Sequence, residues 1–576
     1  MDDSYTISTL CGPSTFPRPS SSSSAGFISN SSLDDKPNAI DLSDHLSVLA
    51  KSRMQSPLKG LYKYFQRPGI LILAGGLPPP EYFPFETISA TTLAKNSFKT
   101  SDPSFGAWLL SFLPGAGKKK TDAWDIPKYA AQPTQIQLSS ALQYGTAAGL
   151  PPLATFVYDF TRRVFQPAYA DFHTVLNAGS TDAWGKIATT LAEPGDGVLC
   201  EEWSYPSAMA TVWPNGLRPV PLKMDGEGMT PEGLEALLAN WNPEERGEMR
   251  RPRLMYTIPV CQNPTGATMS LERKKQIYKI AVKYDVIIVE DDPYYFLQTP
   301  PFEPDTALRA QNKPKQTESD EEFLKSLVPS YLALDYQGRV VRIDTFSKTI
   351  CPGSRLGWTT CNPVFAERLE RANESSTQAA SGFSQALVGK LLAEEWGFEA
   401  YLRWLKGIKA QYTARRDTLT SLLLNEGGAA LESRTRTSLT GPPVFELYMP
   451  ETRDEKGFLM SEKSVGGARK VLSFTAPDGG MFIWLRVHLA SHPSYPHIPA
   501  SELLQSLWEE IAEANLLVGP GSMFNMHSFG QEESIQQAVE EDRDGFFRLS
   551  FSNATEEQMK QAAEILKKTV ASYFRG

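Results

Sequence analysis

From about residue 170 onward, short runs rich in β-branched residues alternate with amphipathic stretches. This alternation is typical of parallel strands joined by helices, and it predicts an α/β fold. In such a sheet, ligands bind beyond the carboxyl ends of the strands. The residues that follow the four clearest runs, at 197–201, 253–257, 285–290 and 340–344, are therefore the first candidates for a functional site.

Lys348 follows the last of these runs and stands between Ser347 and Thr349, with Arg355 seven residues further on. A lysine at the mouth of a buried strand can be desolvated and so become nucleophilic, which formation of a Schiff base requires. An arginine nearby suits a phosphate group. Together they indicate pyridoxal phosphate, against the alternative of an ordinary surface lysine.

Two other strand ends carry groups that this cofactor needs. Asp291 and Tyr294 follow one run and could reach the pyridine nitrogen and the phenolate oxygen of the cofactor. Asp292 competes with Asp291, which we favour for its spacing to Tyr294; a simple turn is the alternative. Asn263, in an Asn-Pro-Thr-Gly turn, could donate to the phenolate oxygen or to a substrate carboxylate.

A phosphate site is indicated where residues 177–181 open a helical stretch. Backbone N–H groups at a helix start, with the hydroxyls of Ser180 and Thr181, can bind an anion, and Arg355 would add a fixed positive charge. The alternative is a plain helix cap. Tyr205, after the run 197–201, could lay its ring on the pyridine face, although buried aromatic residues are more often core.

Arg548 lies in a run with alternating apolar residues. Phe547, Leu549 and Phe551 share one face of the predicted strand, and Arg548 lies on the other. If that face looks toward the rest of the molecule, Arg548 becomes a bidentate clamp for an α-carboxylate. Otherwise it faces solvent.

The length of 576 residues predicts two domains, or one large domain with a cap. A terminal helix should begin at the capping box Thr555–Gln558. The expected divisions are a disordered Ser-rich tail (1–40), a segment packing with the small domain (41–75), a large cofactor-binding domain (76–396) and a small domain (397–576). Two tracts, about 299–330 and 432–470, are interpreted as solvated surface insertions because of their charge and turn residues.

Composition excludes several classes of protein. A net charge of -9 argues against a nucleic-acid surface, and five cysteines without C-x-x-C spacing argue against a disulfide framework and a zinc site. No apolar run is long enough to cross a bilayer. The first forty residues hold acids and a single arginine, which favours a cytoplasmic over a mitochondrial location.

In order and spacing, these residues resemble the fold type I pyridoxal-phosphate aminotransferases of class I and II, above all the fungal aromatic amino acid and 2-aminoadipate (kynurenine-type) aminotransferases. The resemblance runs from about residue 50 to the end, apart from the two insertions. The matching segments are 74–78, 142–145, 179–180, 263–266, 291 with 294, 345–348 with 355, 479–482, 518–521 and 548. Thr181 departs from the glutamine often found there.

The resemblance implies a large domain with a mostly parallel central sheet flanked by helices, plus a smaller α+β domain. It assigns the covalent cofactor link to Lys348 and the pyridinium to Asp291. It assigns the phenolate oxygen to Asn263 and Tyr294, the phosphate to Ser180, Thr181, Thr345 and Arg355, and ring stacking to Tyr205. It also implies a homodimer in which Tyr144 reaches the phosphate of the partner subunit, and substrate contacts from Arg548, Gly76, Asn263 and Arg53.

The implied activity is a ping-pong transfer of the amino group from an aromatic amino acid (Phe, Tyr or Trp, with 2-aminoadipate and kynurenine as further candidates) to a 2-oxo acid such as 2-oxoglutarate. Two alternatives stay open from the residues. The same cofactor could serve a β-lyase or a decarboxylase, because reaction choice depends on which substrate bond stands perpendicular to the ring. A non-catalytic regulator that binds amino acids is the third hypothesis.

Overall fold

The computed structural model describes residues 35–56, 71, 73–74, 76–95, 97, 121–132, 134–311, 318–424, 430–436, 442–450, 468–530 and 543–576. The Ser-rich tail expected at 1–40 therefore lies outside the described residues up to residue 34, and so does most of 57–75.

The strands in the described residues are, in chain order, β1 (Thr87–Leu93), β2 (Thr121–Pro127), β3 (His173–Asn177), β4 (Gly197–Glu201), β5 (Arg218–Leu222), β6 (Met224–Asp225), β7 (Gly228–Met229), β8 (Leu254–Thr257), β9 (Ile287–Asp291), β10 (Val340–Thr345), β11 (Gly357–Cys361), β12 (Glu432–Arg436), β13 (Val444–Tyr448), β14 (Lys470–Thr475), β15 (Phe482–Val487), β16 (Gly519–Pro520) and β17 (Gly545–Ser550).

The α-helices in the same residues are Val48–Ser52, Leu138–Ala141, Pro151–Val164, Ser180–Leu191, Pro206–Val212, Pro231–Ala239, Leu271–Tyr284, Thr306–Gln311, Asp320–Lys325, Pro363–Glu374, Gly382–Gly389, Gly397–Leu424, Ala500–Glu513 and Glu556–Tyr573. A π-helix, Lys390–Trp396, joins two of them. None of the helices in the described part of the chain is both long and apolar enough to cross a membrane.

The central sheet has the strand order β3-β11-β10-β9-β8-β4-β5 in the described residues. Strand β11 runs antiparallel to both of its neighbours, and the pairs β10–β9, β9–β8, β8–β4 and β4–β5 are parallel. The expected mostly parallel sheet is confirmed. The carboxyl ends of β4, β8, β9 and β10 consequently lie at one edge, where the candidate residues follow them.

Helices cover both faces of this sheet, so its strands are apolar on both sides. Successive residues of each strand enter opposite cores. Leu199, Met255 and Ile288 belong to the core on one face, and Val198, Leu254 and Ile287 to the core on the other. The helix Ser180–Leu191 packs on the second face through Ala183, Trp184 and Ile187. This packing fixes the start of the helix at the edge that carries the candidate residues.

A second sheet is built by the C-terminal part of the chain, with the strand order β12-β13-β14-β15-β17-β16 and antiparallel pairing. Its inner face packs with the helices Ala500–Glu513 and Glu556–Tyr573 in a separate core. The last helix begins with the predicted capping box, in which Thr555 and Gln558 satisfy each other's backbone N–H groups. The domain boundary at residue 397 stays a prediction.

The N-terminal segment differs from the prediction. Residues 41–56, expected to pack with the small domain, instead lie on the helices of the central sheet. Leu42 joins the core that contains the helix Ser180–Leu191. Arg253 donates to Asp44 at 2.6 Å, and His45 pairs with Asp285 at 2.9 Å. These two contacts connect residues more than two hundred positions apart, so the local sequence does not reveal them.

The two tracts interpreted as solvated insertions contain buried structure. Phe323 is fully buried in the first tract, within the capped helix Asp320–Lys325. The second tract supplies β12 and β13, and Phe445 and Leu447 enter the core of the second sheet. In both tracts the buried positions are taken by a few apolar residues that stand among many charged ones. Residues 312–317 and 451–467 lie outside the described residues.

Candidate active site

Lys348 lies just beyond the end of β10, as its position after the buried run predicted. The Nζ atom of Lys348 is 5.9 Å from the centre of the Tyr294 ring. Burial lowers the pKa of the Lys348 amine, and the positive charges of Arg355 and Arg548 lower it further. Lowering this pKa increases the fraction of neutral amine, which is the nucleophilic form.

Asp291, the last residue of β9, is buried beneath this edge of the sheet. Its Oδ2 atom accepts a hydrogen bond of 2.7 Å from the hydroxyl of Tyr256. Its Oδ1 atom is buried and has no hydrogen-bond partner of good geometry among the described residues. Burial raises the pKa of the Asp291 carboxyl to about 6, although the hydrogen bond from Tyr256 acts to lower this pKa. A buried acceptor without a donor is rare, and a protonated pyridine nitrogen is a donor that would satisfy it.

The neighbouring Asp292 is occupied by contacts within the protein. Its Oδ2 atom accepts from Arg342 at 2.9 Å, and its Oδ1 atom accepts from the backbone N–H of Val260 at 3.2 Å. Arg342 also pairs with Asp344 at 2.9 Å. Since both oxygens of Asp292 have partners, this geometry favours Asp291 over Asp292, as the spacing to Tyr294 did.

An anion cradle lies beside Lys348. The helix Ser180–Leu191 starts after Gly179, whose φ of +97° places it in the conformation that glycine tolerates. A Cβ atom on Gly179 would lie 2.5 Å from a guanidinium nitrogen of Arg355, so these two residues adjoin. Arg355 donates to the hydroxyl of Ser347 at 3.4 Å, and Thr345 donates to the same hydroxyl at 2.9 Å. Hydroxyls, a helix start and an arginine form a site suited to phosphate.

Arg548 reaches from β17 toward the central sheet. Its Nη1 atom donates to Oδ1 of Asn263 at 2.7 Å. Its guanidinium carbon lies 4.1 Å from the centre of the Phe482 ring and 4.6 Å from that of Phe524. Phe547 and Leu549 are buried on the opposite face of the strand, as the alternation predicted. Because the side-chain oxygen of Asn263 accepts the hydrogen bond from Arg548, its amide N–H groups can donate to another acceptor.

Two tyrosines line the same region. Tyr294 is buried, its ring packs edge-to-face on Phe482 at 5.9 Å, and burial raises the pKa of its hydroxyl. Tyr205 is half-buried immediately before the helix Pro206–Val212. Its hydroxyl is close enough to interact electrostatically with both Arg548 and Tyr294. The positions predicted from separate strand ends are therefore brought together.

The segment before Tyr205 is joined to the C-terminal part of the chain by main-chain pairing. Trp203 and Asn525 form an antiparallel bridge. The N–H of Ser204 donates to the carbonyl of Phe524 at 2.9 Å, and the N–H of Met526 donates to the carbonyl of Glu202 at 2.8 Å. This junction connects the backbone that carries Tyr205 with the ring that flanks Arg548.

Three predicted site residues are not brought to this cluster. Arg53 donates to the hydroxyl of Thr190 at 3.2 Å, which lies ten residues after Ser180 on the same helix and thus about 15 Å away along its axis. Gly76 is exposed, with no atom within 4 Å of the place where a Cβ would stand. The Tyr144 side chain is 60% exposed on the surface of the single chain.

Sequence reasoning missed two contributors. Ser347 links Thr345 and Arg355 in the cradle, and its place in the Thr-Phe-Ser-Lys run was a usable signal. Tyr256 supports Asp291 from the neighbouring strand β8. Its only signal was the strand order, because residues near the carboxyl ends of adjacent parallel strands lie side by side.

Comparison with known proteins identifies the family of this chain. The family model described as aminotransferase class I and II matches residues 119–437. An aromatic amino acid aminotransferase of Schizosaccharomyces pombe is 34% identical over 545 residues, which cover 93% of this chain and 98% of the relative. An L-tyrosine:2-oxoglutarate aminotransferase of Serpula lacrymans is 33% identical, with 84% of each chain covered.

The crystal structure of the aminotransferase Aro8 from Candida albicans has the same fold. The superposition has a TM-score of 0.76 at 34% sequence identity and covers 94% of this chain and all of that one. The Lys348 amine, the Arg355 cradle and the buried Oδ1 atom of Asp291, which has no partner of good geometry among the described residues, fit pyridoxal phosphate. The chain belongs to the aminotransferase class I and II family, whose members are pyridoxal-phosphate enzymes of fold type I.

Proposed function

We propose that this enzyme moves the amino group of an aromatic amino acid to a 2-oxo acid such as 2-oxoglutarate by a ping-pong mechanism. The observation that carries the proposal is the buried Oδ1 atom of Asp291, which has no partner of good geometry in the described residues and lies in the same cluster as an amine of lowered pKa. A protonated ring nitrogen of the cofactor would donate to the Oδ1 atom of Asp291, and the carbonyl carbon of the cofactor would react with the amine of Lys348.

When bound, the cofactor supplies an electron-accepting ring and a carbonyl carbon. Lys348 would hold that carbon covalently at rest. As a free amine, the Nζ atom of Lys348 would accept the proton of the substrate α-carbon. Asp291 would hold the ring nitrogen in its protonated form, and the hydroxyl of Tyr294 and the amide of Asn263 would bind the phenolate oxygen.

The remaining groups bind and orient. Ser180, Thr181, Thr345 and Arg355 would hold the phosphate, with Ser347 as an additional hydroxyl, and Tyr205 would cover one face of the ring. Arg548 would bind the α-carboxylate. Both substrates of an aminotransferase carry this carboxylate, so one arginine can serve both halves of the reaction.

The aromatic substrate class is supported by two observations. The relatives are described as acting on aromatic amino acids and on L-tyrosine with 2-oxoglutarate. In this chain the guanidinium of Arg548 lies between the rings of Phe482 and Phe524, so the expected carboxylate site is bordered by aromatic surface. Aromatic rings pack favourably against one another.

Spectral titration of the purified holoenzyme tests the proposal. We expect phenylalanine, tyrosine or tryptophan to bleach the visible absorption band of the bound cofactor, and 2-oxoglutarate to restore it. 2-Aminoadipate and kynurenine belong in the same series. Absence of bleaching with all five amino acids would refute the proposal. Product analysis separates this activity from a β-lyase or a decarboxylase, which would release ammonia or an amine.

The role of Lys348 is tested separately. Borohydride reduction followed by peptide mapping should label Lys348, and Lys348→Ala should lose both the label and the activity. Labelling of a different lysine would overturn the assignment. A Lys348→Ala protein that keeps its full biological effect would instead favour a regulator.

We also propose a homodimer with shared active sites in the cytoplasm. The exposed Tyr144 ring would then reach the phosphate of the partner subunit, and Gly76 the substrate carboxylate. Mixing Lys348→Ala and Tyr144→Ala subunits should restore part of the activity, since each hybrid dimer contains one complete site. A monomer in light scattering, or mixtures without recovery, would contradict shared sites. A fluorescent fusion tests the location.

A further inference from the structure

We propose that Tyr256 is a positioning residue that orients Asp291 toward the ring nitrogen of the cofactor. The hydroxyl of Tyr256 acts on the carboxylate, not on the cofactor. The inference deepens the proposed function and rests on the cofactor site described above.

The geometry ties Tyr256 to Asp291 through buried groups. Tyr256 lies on β8, is fully buried, and donates to Oδ2 of Asp291 at 2.7 Å. Its ring lies 4.8 Å from the ring of Trp184, centre to centre. The indole of Trp184 is itself fixed, because its N–H donates to the carbonyl of Ala208 at 2.8 Å. The hydroxyl is therefore held in place by two packed helices and the sheet.

The hydrogen bond from Tyr256 makes the two carboxylate oxygens of Asp291 unequal. Tyr256 occupies Oδ2, and Oδ1 keeps no partner of good geometry among the described residues. A carboxylate that could rotate freely would present either oxygen to a donor. With Oδ2 fixed by Tyr256, Oδ1 is the oxygen left for the cofactor, and its direction is set before the cofactor binds.

The charge of Asp291 also depends on Tyr256. Burial raises the pKa of the Asp291 carboxyl, the negative charge of Asp344 acts in the same direction, and Tyr256, Arg342 and the hydroxyl of Ser180 act against them. Removing the Tyr256 hydroxyl would raise this pKa further. A neutral carboxyl group would no longer stabilise the protonated ring nitrogen.

The chain contains a matched control for this hydrogen bond. The hydroxyl of Tyr278 donates to Oδ1 of Asp335 at 2.8 Å, and both residues are buried. Tyr278 lies on the helix Leu271–Tyr284, and Asp335 otherwise accepts from backbone N–H groups, including that of Val340. Tyr278→Phe removes a tyrosine–aspartate hydrogen bond of similar length, 2.8 Å instead of 2.7 Å, and Tyr278 lies outside the cluster around Lys348.

The test compares wild type, Y256F and Y278F as holoenzymes. For Y256F we expect the pH at which the visible band changes to rise by about one unit, and cofactor binding to weaken by on the order of tenfold or more, as loss of a hydrogen bond to a charged acceptor predicts. We also expect kcat to fall more than KM rises. Y278F should leave all three quantities unchanged while lowering Tm to a similar extent.

Folded Y256F that matches Y278F in absorption and cofactor affinity would overturn the inference. Should Y256F fail to fold, W184F carries the test, because it keeps the Tyr256 hydroxyl and changes the ring that supports it, together with the indole bond to Ala208. A smaller shift in the same direction upholds the inference, and no shift overturns it. Failure of the proposed function is distinguishable, since wild type itself would then lack the visible band, or would keep the band without bleaching by any of the five amino acids.

Discussion

Replacing Arg548 with lysine tests how this enzyme recognises a carboxylate. The change keeps one positive charge and removes the planar guanidinium, which can bind a carboxylate through two parallel hydrogen bonds. It also removes the 2.7 Å bond to Asn263 and the contacts with the rings of Phe482 and Phe524. A lysine in this place would be a compact ammonium between two aromatic rings.

The size of the effect follows from the bonds lost. A hydrogen bond to a charged group contributes about 1.5 to 3 kcal/mol, and the substitution would remove one of the two such bonds that we propose between Arg548 and the substrate carboxylate. We therefore expect kcat/KM to fall by about tenfold to a hundredfold. Because the carboxylate is bound in the ground state and the transition state alike, most of the loss should be in KM.

Stopped-flow absorption of the two half-reactions is the assay, with an amino acid in one and a 2-oxo acid in the other. The kcat/KM of both half-reactions should fall by a comparable factor, since both substrates carry the α-carboxylate. Arg486→Lys is the matched control: Arg486 lies on the adjacent strand β15, pairs with Asp544 at 3.1 Å and lies 5.4 Å from the Phe546 ring. Values for R548K within about twofold of R486K in both half-reactions would refute the reasoning.

Three further predictions concern stability, measured by urea unfolding. Gly357→Ala should destabilise by about 1 to 3 kcal/mol, because its Cβ would lie 2.3 Å from the backbone oxygen of Asp344, whereas Gly353→Ala, with no atom within 4 Å, should be neutral. Burial raises the pKa of Glu201 from 4.5 to about 7, so its contribution to stability is complete below about pH 4.5 and is lost as the pH rises through about 7. The free energy of unfolding of Glu201→Gln, relative to that of wild type, should therefore be roughly 3 kcal/mol higher at pH 8 than at pH 4. The same relative value at both pH values would contradict this burial effect. Phe323→Ala should cost about 3 to 5 kcal/mol, and a cost below about 0.5 kcal/mol would mean that its tract is a solvated loop after all.

The central sheet and the residues at its edge were predictable because their signals are local. Runs of β-branched residues predict strands, and parallel strands bring their carboxyl ends together, so Asp291, Tyr294 and Lys348 were expected to meet before any contact was known. Arg548 was predictable from the alternation within one strand. The short strand β11, which runs against its neighbours, carries no comparable local signal.

The misplaced parts depend on contacts between distant residues. Arg53 lies far from the cluster because the N-terminal segment packs on the helices of the central sheet, where Leu42 is buried and Asp44 pairs with Arg253. Phe323 is buried among charged neighbours that suggested a loop. Tyr256 reads as one more apolar residue of a buried strand until the strand order places its hydroxyl beside Asp291.

The main-chain pairing of residues 202–204 with 524–526 has a mechanical consequence. A rigid-body movement of the six-stranded sheet away from the central sheet would have to break the hydrogen bonds of Ser204 and Met526 or bend the chain between β16 and Phe524. Tyr205 and Phe524, which flanks Arg548, are thus connected through the same pair of hydrogen-bonded main-chain segments. A movement of the Phe524 ring against the Arg548 guanidinium would therefore be passed through the main chain to Tyr205.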